Sequence, residues 1–156
     1  MTMNFADALN VPVNEIERPP LIPVGTYRAQ VSKVPSMDTI SEDRWDVIDF
    51  NMRLVEPLED VDQDELSKYG GLSPASVIRH RFMFSREDEA FFKRSLFNVR
   101  RFLQDHLKVD MNDSTSLKEA LNGAVNHQCI VHVKWRADKN RPEELYNEIS
   151  KTAPLT

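Results

Sequence analysis

A mainly β fold, a five-stranded barrel carrying helices, is what the 156-residue sequence predicts, and three observations predict it. Several stretches alternate apolar and polar residues with period two, the mark of half-buried strands. One long stretch, Ser85 to Lys108, has helical period instead: Phe92, Leu96, Val99, Leu103 and Leu107 recur at spacings of four, three, four and four. The helical stretch also falls between the third and fourth strands, so the order is three strands, a helix, a smaller helix and two strands.

Met1 to Pro23 holds one amphipathic turn, Phe5 to Leu9, and then Pro12, Pro19, Pro20 and Pro23, which oppose regular structure. It reads as an arm or linker: a mobile terminus, or a segment docked on the barrel or on a neighbouring subunit of a homo-oligomer. A single domain spans 24–156. Strand 1 starts at Gly25, with Tyr27, Ala29 and Val31 on one face and Arg28, Gln30 and Ser32 on the other. Pro35 to Asp43 is turn-prone and predicts a loop. Strand 2, Arg44 to Val55, sets Ile48, Phe50, Met52 and Leu54 against Val47, Asp49, Asn51 and Arg53. Pro57 ends it. The acidic stretch from Glu56 to Lys68 is an inserted excursion with room for a short helix before Gly70-Gly71.

Strand 3, Val77 to Phe84, puts Ile78, His80, Phe82 and Phe84 on one face and Val77, Arg79, Arg81 and Met83 on the other. The long helix follows, with Ser85 as its predicted cap, Glu87, Asp88 and Glu89 at its start and Lys108 at its end, as the helix dipole favours. Ser116 to Glu119 is a capping box that opens a second, short helix closed by Gly123. Strand 4, His127 to Arg136, and strand 5, Leu145 to Ile149, are joined by a turn-rich connector, 137–144. Five strands in this order, with the helix between strands 3 and 4, match the OB-fold, a Greek-key barrel whose helix plugs one end. A sheet with helices packed on one side would give the same string.

The net charge of −5 is unevenly spread. Six acids and one base between Glu56 and Lys68 carry all of it, whereas Val77–Val109 is +4 and His127–Arg141 is +3. Basic surface therefore exists and is hidden in the total. The lone cysteine, Cys129, excludes an internal disulfide and, with four scattered histidines, gives no zinc spacing. No cofactor or metal is expected. No apolar run reaches membrane-spanning length, no signal-peptide pattern opens the chain, and a reducing cytosolic setting is expected. No Walker sequence, nucleophile elbow or His-Glu-x-x-His is present, so an enzyme is not expected.

The residues at 21–27 (Leu-Ile-Pro-Val-Gly-Thr-Tyr), the strand 49–55, the Phe-Lys-Arg-Ser-Leu-Phe helix at 92–97, Asn122-Gly123, and Tyr146 to Ile149 before Pro154 resemble phage-encoded, replication-associated single-stranded-DNA-binding proteins of the OB type. The resemblance covers 21–154. It implies a protein of the host cytoplasm that coats single strands in phage replication or recombination and meets other replication or recombination proteins. Such proteins commonly end in an acidic tail that recruits replication partners, whereas this sequence ends Ser-Lys-Thr-Ala-Pro-Leu-Thr, so the Glu56–Glu65 stretch is the candidate for any acidic docking or self-shielding element. A protein-interaction adaptor is the alternative.

Sequence-tolerant binding of single strands needs cations for phosphates and aromatic faces for bases. On an OB barrel the strand 2–3 face and the loops after strands 1 and 4 supply them. Those positions hold Arg44, Trp45, Arg53, Arg79, Arg81, Lys139 and Arg141, while Arg28 on strand 1 and Lys134 and Arg136 on strand 4 add charge. Outward Lys and Arg are also ordinary edge protection. Trp45 reads as a base platform or as a cap on the barrel end. Trp135 shares parity with Val131 and Val133 and reads as core, with stacking as its alternative, and Tyr146 fits either role. Phe97 stands among Lys93, Arg94, Arg100 and Arg101 on the solvated face of the helix, where it packs under the acidic stretch or against another subunit.

Overall fold

The computed structural model describes residues 4–16 and 20–155. The parts of the expected arm at 1–3 and 17–19, Pro19 among them, lie outside the described residues. The fold is mainly β: an open antiparallel sheet of six strands with a few helices. The strands are β1 (Gly25–Val31), β2 (Ser36–Ile40), β3 (Trp45–Pro57), β4 (Val77–Ser85), β5 (Gln128–Ala137) and β6 (Leu145–Ala153).

Six strands replace the five expected because the Pro35–Asp43 loop contains β2. The register pairs Ser36 to Ile40 with Asp49 back to Trp45, and the turn between them is tight, with Ser41, Glu42 and Asp43 all at positive φ. β1 and β2 lie along the same edge of β3: Tyr27 to Val31 pair with its second half, and the Ser32 amide bridges the gap by donating to the Asn51 carbonyl at 3.0 Å. β4 occupies the other edge of β3 over Trp45–Arg53. The remaining order is β3-β1-β5-β6. β4 and β6 approach within 8 Å between Cα atoms, yet no ladder joins them among the described residues.

The helices are α1 (Phe5–Ala8), α2 (Gln63–Tyr69), α3 (Glu89–Arg101) and α4 (Leu117–Asn122). α3 runs on into a π-helical turn, Phe102–His106. Its start differs from expectation. Ser85 ends β4, and its hydroxyl accepts from the amides of Glu87 and Asp88 at 3.2 Å, so the chain must turn before the helix begins. Asp88 is the cap and accepts from the Phe91 amide at 3.0 Å. The expected caps of α4 hold: Ser116 Oγ accepts from the Glu119 amide at 3.2 Å, and the helix ends at Gly123.

The inner faces follow the alternation. Tyr27, Ala29 and Val31 from β1, Phe50, Met52 and Leu54 from β3, and Cys129, Val131 and Val133 from β5 are buried, as are Val99, Leu103 and Leu107. An aromatic cluster joins helix to sheet. Phe102 meets Phe50 at 4.9 Å, His80 at 5.1 Å and Phe82 at 5.5 Å between ring centroids, in edge and tilted arrangements that suit the ring quadrupoles. Burial pushes the Cys129 thiol up to about 12, so it sits in the core as an inert apolar side chain.

The acidic stretch is no loose excursion. Val61 and Leu66 are buried in the main core, and Asp60 holds the start of β1: its carboxylate accepts from the Thr26 amide at 2.9 Å and the Thr26 hydroxyl at 2.7 Å. The hydroxyl contact keeps the Asp60 carboxyl below its usual range. Gly25 makes room for this docking, since a Cβ there would stand 2.7 Å from Val61 Cγ2. The last residues of the expected arm also pack on the sheet. Ile22 and Pro23 are buried, and Tyr27, its hydroxyl pushed up to about 12 chiefly by burial, donates to the Pro23 carbonyl at 2.7 Å.

Candidate functional site

Parity on β3 and β4 fixes one outward face. Trp45, Val47, Asp49, Asn51 and Arg53 stand opposite Ser85, Met83, Arg81, Arg79 and Val77 in register. Where β4 meets β6 without a ladder, the surface opens into a groove of about 630 Å³. Arg79 and Arg81 line it from β4, Arg136 from β5, and Tyr146 from β6, with Asn51 and Asn147 adding amides. His80 lines it as well. Burial pushes His80 down to about 4, so near neutral pH it is an uncharged imidazole, packed against Phe82 at 4.8 Å.

The arginines here are not bare. Asp49, only 7% exposed, accepts two hydrogen bonds from Arg81, at 2.8 and 3.0 Å, and lies 3.9 Å from Arg79 Nε. The fork of two parallel bonds holds the Arg81 guanidinium along the face and raises its pKa further. Arg136 pairs with Glu148 at 3.1 Å. Three guanidinium groups against two carboxylates leave the groove a surplus of one positive charge. Tyr146 is 39% exposed, an aromatic ring beside cations and amides.

Of the twelve residues the sequence nominated, the structure brings four together in this groove: Arg79, Arg81, Arg136 and Tyr146. Lys134 lies next to it, paired in register with Glu148. Trp45 and Arg53 flank it at opposite ends of the β3 row. Trp45 is half-buried and rests edge-on against Phe91 at 5.5 Å, at the mouth of α3. Arg44 is exposed in the turn before β3. Lys139 and Arg141 belong to the β5–β6 connector, where Arg141 meets Glu144 at 3.5 Å. Arg28 sits apart on the β1–β5 side, bound to Glu56 at 3.0 Å and Gln128 at 3.2 Å. Trp135 departs from the core position that parity implies: it is 43% exposed, because its indole N–H donates to the Ile22 carbonyl at 2.7 Å and the ring lies against the segment entering β1.

Asn51, His80 and Asn147 were not nominated. Asn51 was legible, since it lies on the outward row between Asp49 and Arg53. His80 has inward parity and Asn147 is the inward partner of Trp135 in register, so alternation gave no sign of them. Arg86, also missed, pairs with Asp46 at 2.9 Å and fixes the β2–β3 turn to the end of β4.

A second groove, mainly apolar and on the helix side, has a volume of about 360 Å³ and is lined by Met37, Ile48, Phe84, Phe92, Leu96 and Leu117, with Asp38, Thr39 and Asp46 at its β2–β3 border. Among the described residues no group of three or more His, Cys, Asp or Glu could hold a metal ion, and no helix is long and apolar enough to cross a membrane. A scan against protein-family models and a search of curated proteins both find no match for this chain.

Proposed function

We propose that this chain is a single-stranded-DNA-binding protein built on an OB-type barrel, and that it works by capture and coating rather than by catalysis. The groove at the β4–β6 seam carries the reading. It sets an exposed tyrosine among three guanidinium groups and two amides, the chemistry that sequence-tolerant strand binding requires. The strand order β4-β3-β1-β5-β6, with β4 and β6 near each other and α3 closing over Phe50 and Phe82 between β4 and β5, supports the OB arrangement. The landmarks at 21–27, 49–55 and 146–149 support a phage replication or recombination setting in a host cytoplasm.

In this mechanism phosphates exchange for carboxylates. Arg79 and Arg81 leave Asp49 in part, Arg136 leaves Glu148, and Lys134, Arg53, Lys139 and Arg141 extend the track while a base stacks on Tyr146. Because half of the cations start out paired, fewer counterions are released than the arginine count implies, and the salt dependence is correspondingly shallow. A labelled oligo-dT of about 30 nucleotides, long enough for more than one OB site, tests it. Salt-sensitive binding at micromolar protein, stronger than for duplex DNA of the same length, is expected. Duplex preference or no binding overturns it, and an RNA oligonucleotide run beside them sets the DNA-over-RNA preference.

The apolar groove and the pairing of the seam arginines favour a second reading, a protein-interaction adaptor. An adaptor predicts tryptophan fluorescence that ignores single strands and responds only to a protein partner.

A further inference from the structure

The outer face of α3 is basic and has no part in the seam groove. From Ala90 to Arg101 the helix carries Lys93, Arg94, Arg100 and Arg101 and no acid. Lys93 pairs with Glu89 at 3.1 Å, while the three arginines have no acid within 4.0 Å among the described residues. The acids of this segment stand at its ends: Glu87, Asp88 and Glu89 before it, Asp105 after it.

Two of these arginines lie on rings. Arg94 Cζ is 6.0 Å from the centroid of Phe91, and Arg101 Cζ is 6.0 Å from that of Phe97. A guanidinium held on a ring face keeps its N–H donors, which lie in its own plane, turned outward for an oxyanion. Spacings of three and four set Arg94, Phe97 and Arg101 in one row, a crest of cation, ring and cation about 10 Å long. Phe97 is 57% exposed, and Arg101 covers only one face of it.

A lone exposed ring carries no argument. Here the row continues from the seam. Met83 lines the groove and shares the outward face with Trp45, its diagonal neighbour across β3 and β4. Trp45 meets Phe91 edge-on at 5.5 Å, and Phe91 carries Arg94. An acidic peptide would meet the arginines but has no flat faces for the rings, whereas a nucleic-acid strand supplies phosphates and bases in alternation.

We propose that a single strand leaving the seam groove continues over Trp45 and Phe91 onto the α3 crest, where Arg94 and Arg101 take phosphates and Phe97 stacks a base. This rests on the strand-binding reading of the seam and lengthens its footprint. Arg81 and Arg136 give up carboxylates when a phosphate arrives, but Arg94 and Arg101 do not, so each crest contact releases its full share of counterions.

Fluorescence anisotropy with labelled oligo-dT of about 6 and about 16 nucleotides, over a salt series, tests this. Arg94→Ala with Arg101→Ala, Phe97→Ala and Phe97→Trp change exposed positions only, and unchanged circular dichroism verifies folding. For the wild type, the slope of log affinity against log salt should be steeper with the longer strand by about 1.4, the value of two phosphates on a single strand. The double arginine variant should lose that difference. Phe97→Ala should weaken the longer strand about tenfold and leave the shorter one unchanged, and Phe97→Trp should restore it. If the variants bind the longer strand as the wild type does, the crest is off the path while the seam reading stands. Equal losses on both lengths overturn the proposal as well, as does a crest variant that loses only a poly-glutamate peptide. A wild type that binds neither strand overturns the seam reading, and the crest goes with it.

Discussion

The two grooves share a wall and differ in everything else. Phe102 backs the seam groove through its contact with His80, and Leu103, the next residue, lines the hollow that extends the apolar groove. On the seam side the lining is guanidinium, amide and phenol, and two of the guanidinium groups have fixed partners: Arg81 on Asp49, Arg136 on Glu148. On the helix side Met37, Ile48, Phe84, Phe92, Leu96 and Leu117 predominate, with Asp38, Thr39 and Asp46 along one border and Arg86 paired to Asp46. A surface built to exchange charged partners needs its cations held in place beforehand, whereas a surface built to take apolar side chains needs only space and a rim.

The shared wall gives the largest expected effect. Phe102→Ala removes the ring that ties α3 to β3 and β4 and should cost about 3–5 kcal/mol in urea unfolding, disturbing both grooves at once. If either groove still works normally in that variant, the two do not share a wall in function.

Tyr146→Ala separates them. It should weaken binding of a short oligo-dT that holds one copy by about 1–3 kcal/mol, the usual value of one stacked base. Leu117→Glu should leave that affinity unchanged. Equal losses in the two variants, measured by fluorescence anisotropy, would erase the distinction between the grooves.

His80 adds a pH signature to the seam. Between pH 6.5 and about 4 the unfolded chain takes up a proton at His80 that the folded chain refuses. Stability therefore falls as the pH drops through that window and levels off below it, by about 3 kcal/mol for this residue. His106 and His132, both also lowered chiefly by burial, act in the same direction. His80→Phe keeps the ring contacts and should reduce the difference between urea midpoints at pH 7 and pH 4.5. An unchanged difference would move its origin to the other histidines.

Asp49→Asn is the smallest and most specific change. It loosens Arg81 without emptying the site, so the slope of log affinity against log salt should steepen by about one while stability falls by about 1 kcal/mol. A slope that stays the same would mean that Arg81 never meets a phosphate.

Much of this was legible from the chain. The alternation placed Tyr27, Phe50, Met52 and Val131 inside and Arg79, Arg81 and Arg136 outside, because in a strand successive side chains point to opposite faces whatever lies beside it. The caps at Ser116 and the break at Gly70 were local chemistry and were found where the residues put them. The capping of α3 went to Asp88 instead of Ser85, since the serine was needed to end a strand that runs directly into the helix.

Only the tertiary structure decided which outward residues meet. Alternation says which face a side chain takes but not which strands become neighbours. Asp49 therefore found Arg81 across 32 residues, and Tyr146 joined Arg79 across a seam that has no ladder to announce it. The same holds for Trp135, drawn toward Ile22 across 113 residues, and for β2, which its own residues marked as a loop and which became a strand because β3 offered it an edge. Sequence alone set the periodicity of each element, a property of a few consecutive residues. The site depended on ladder register and on how the sheet's two ends approach, and those are settled by packing over the whole chain.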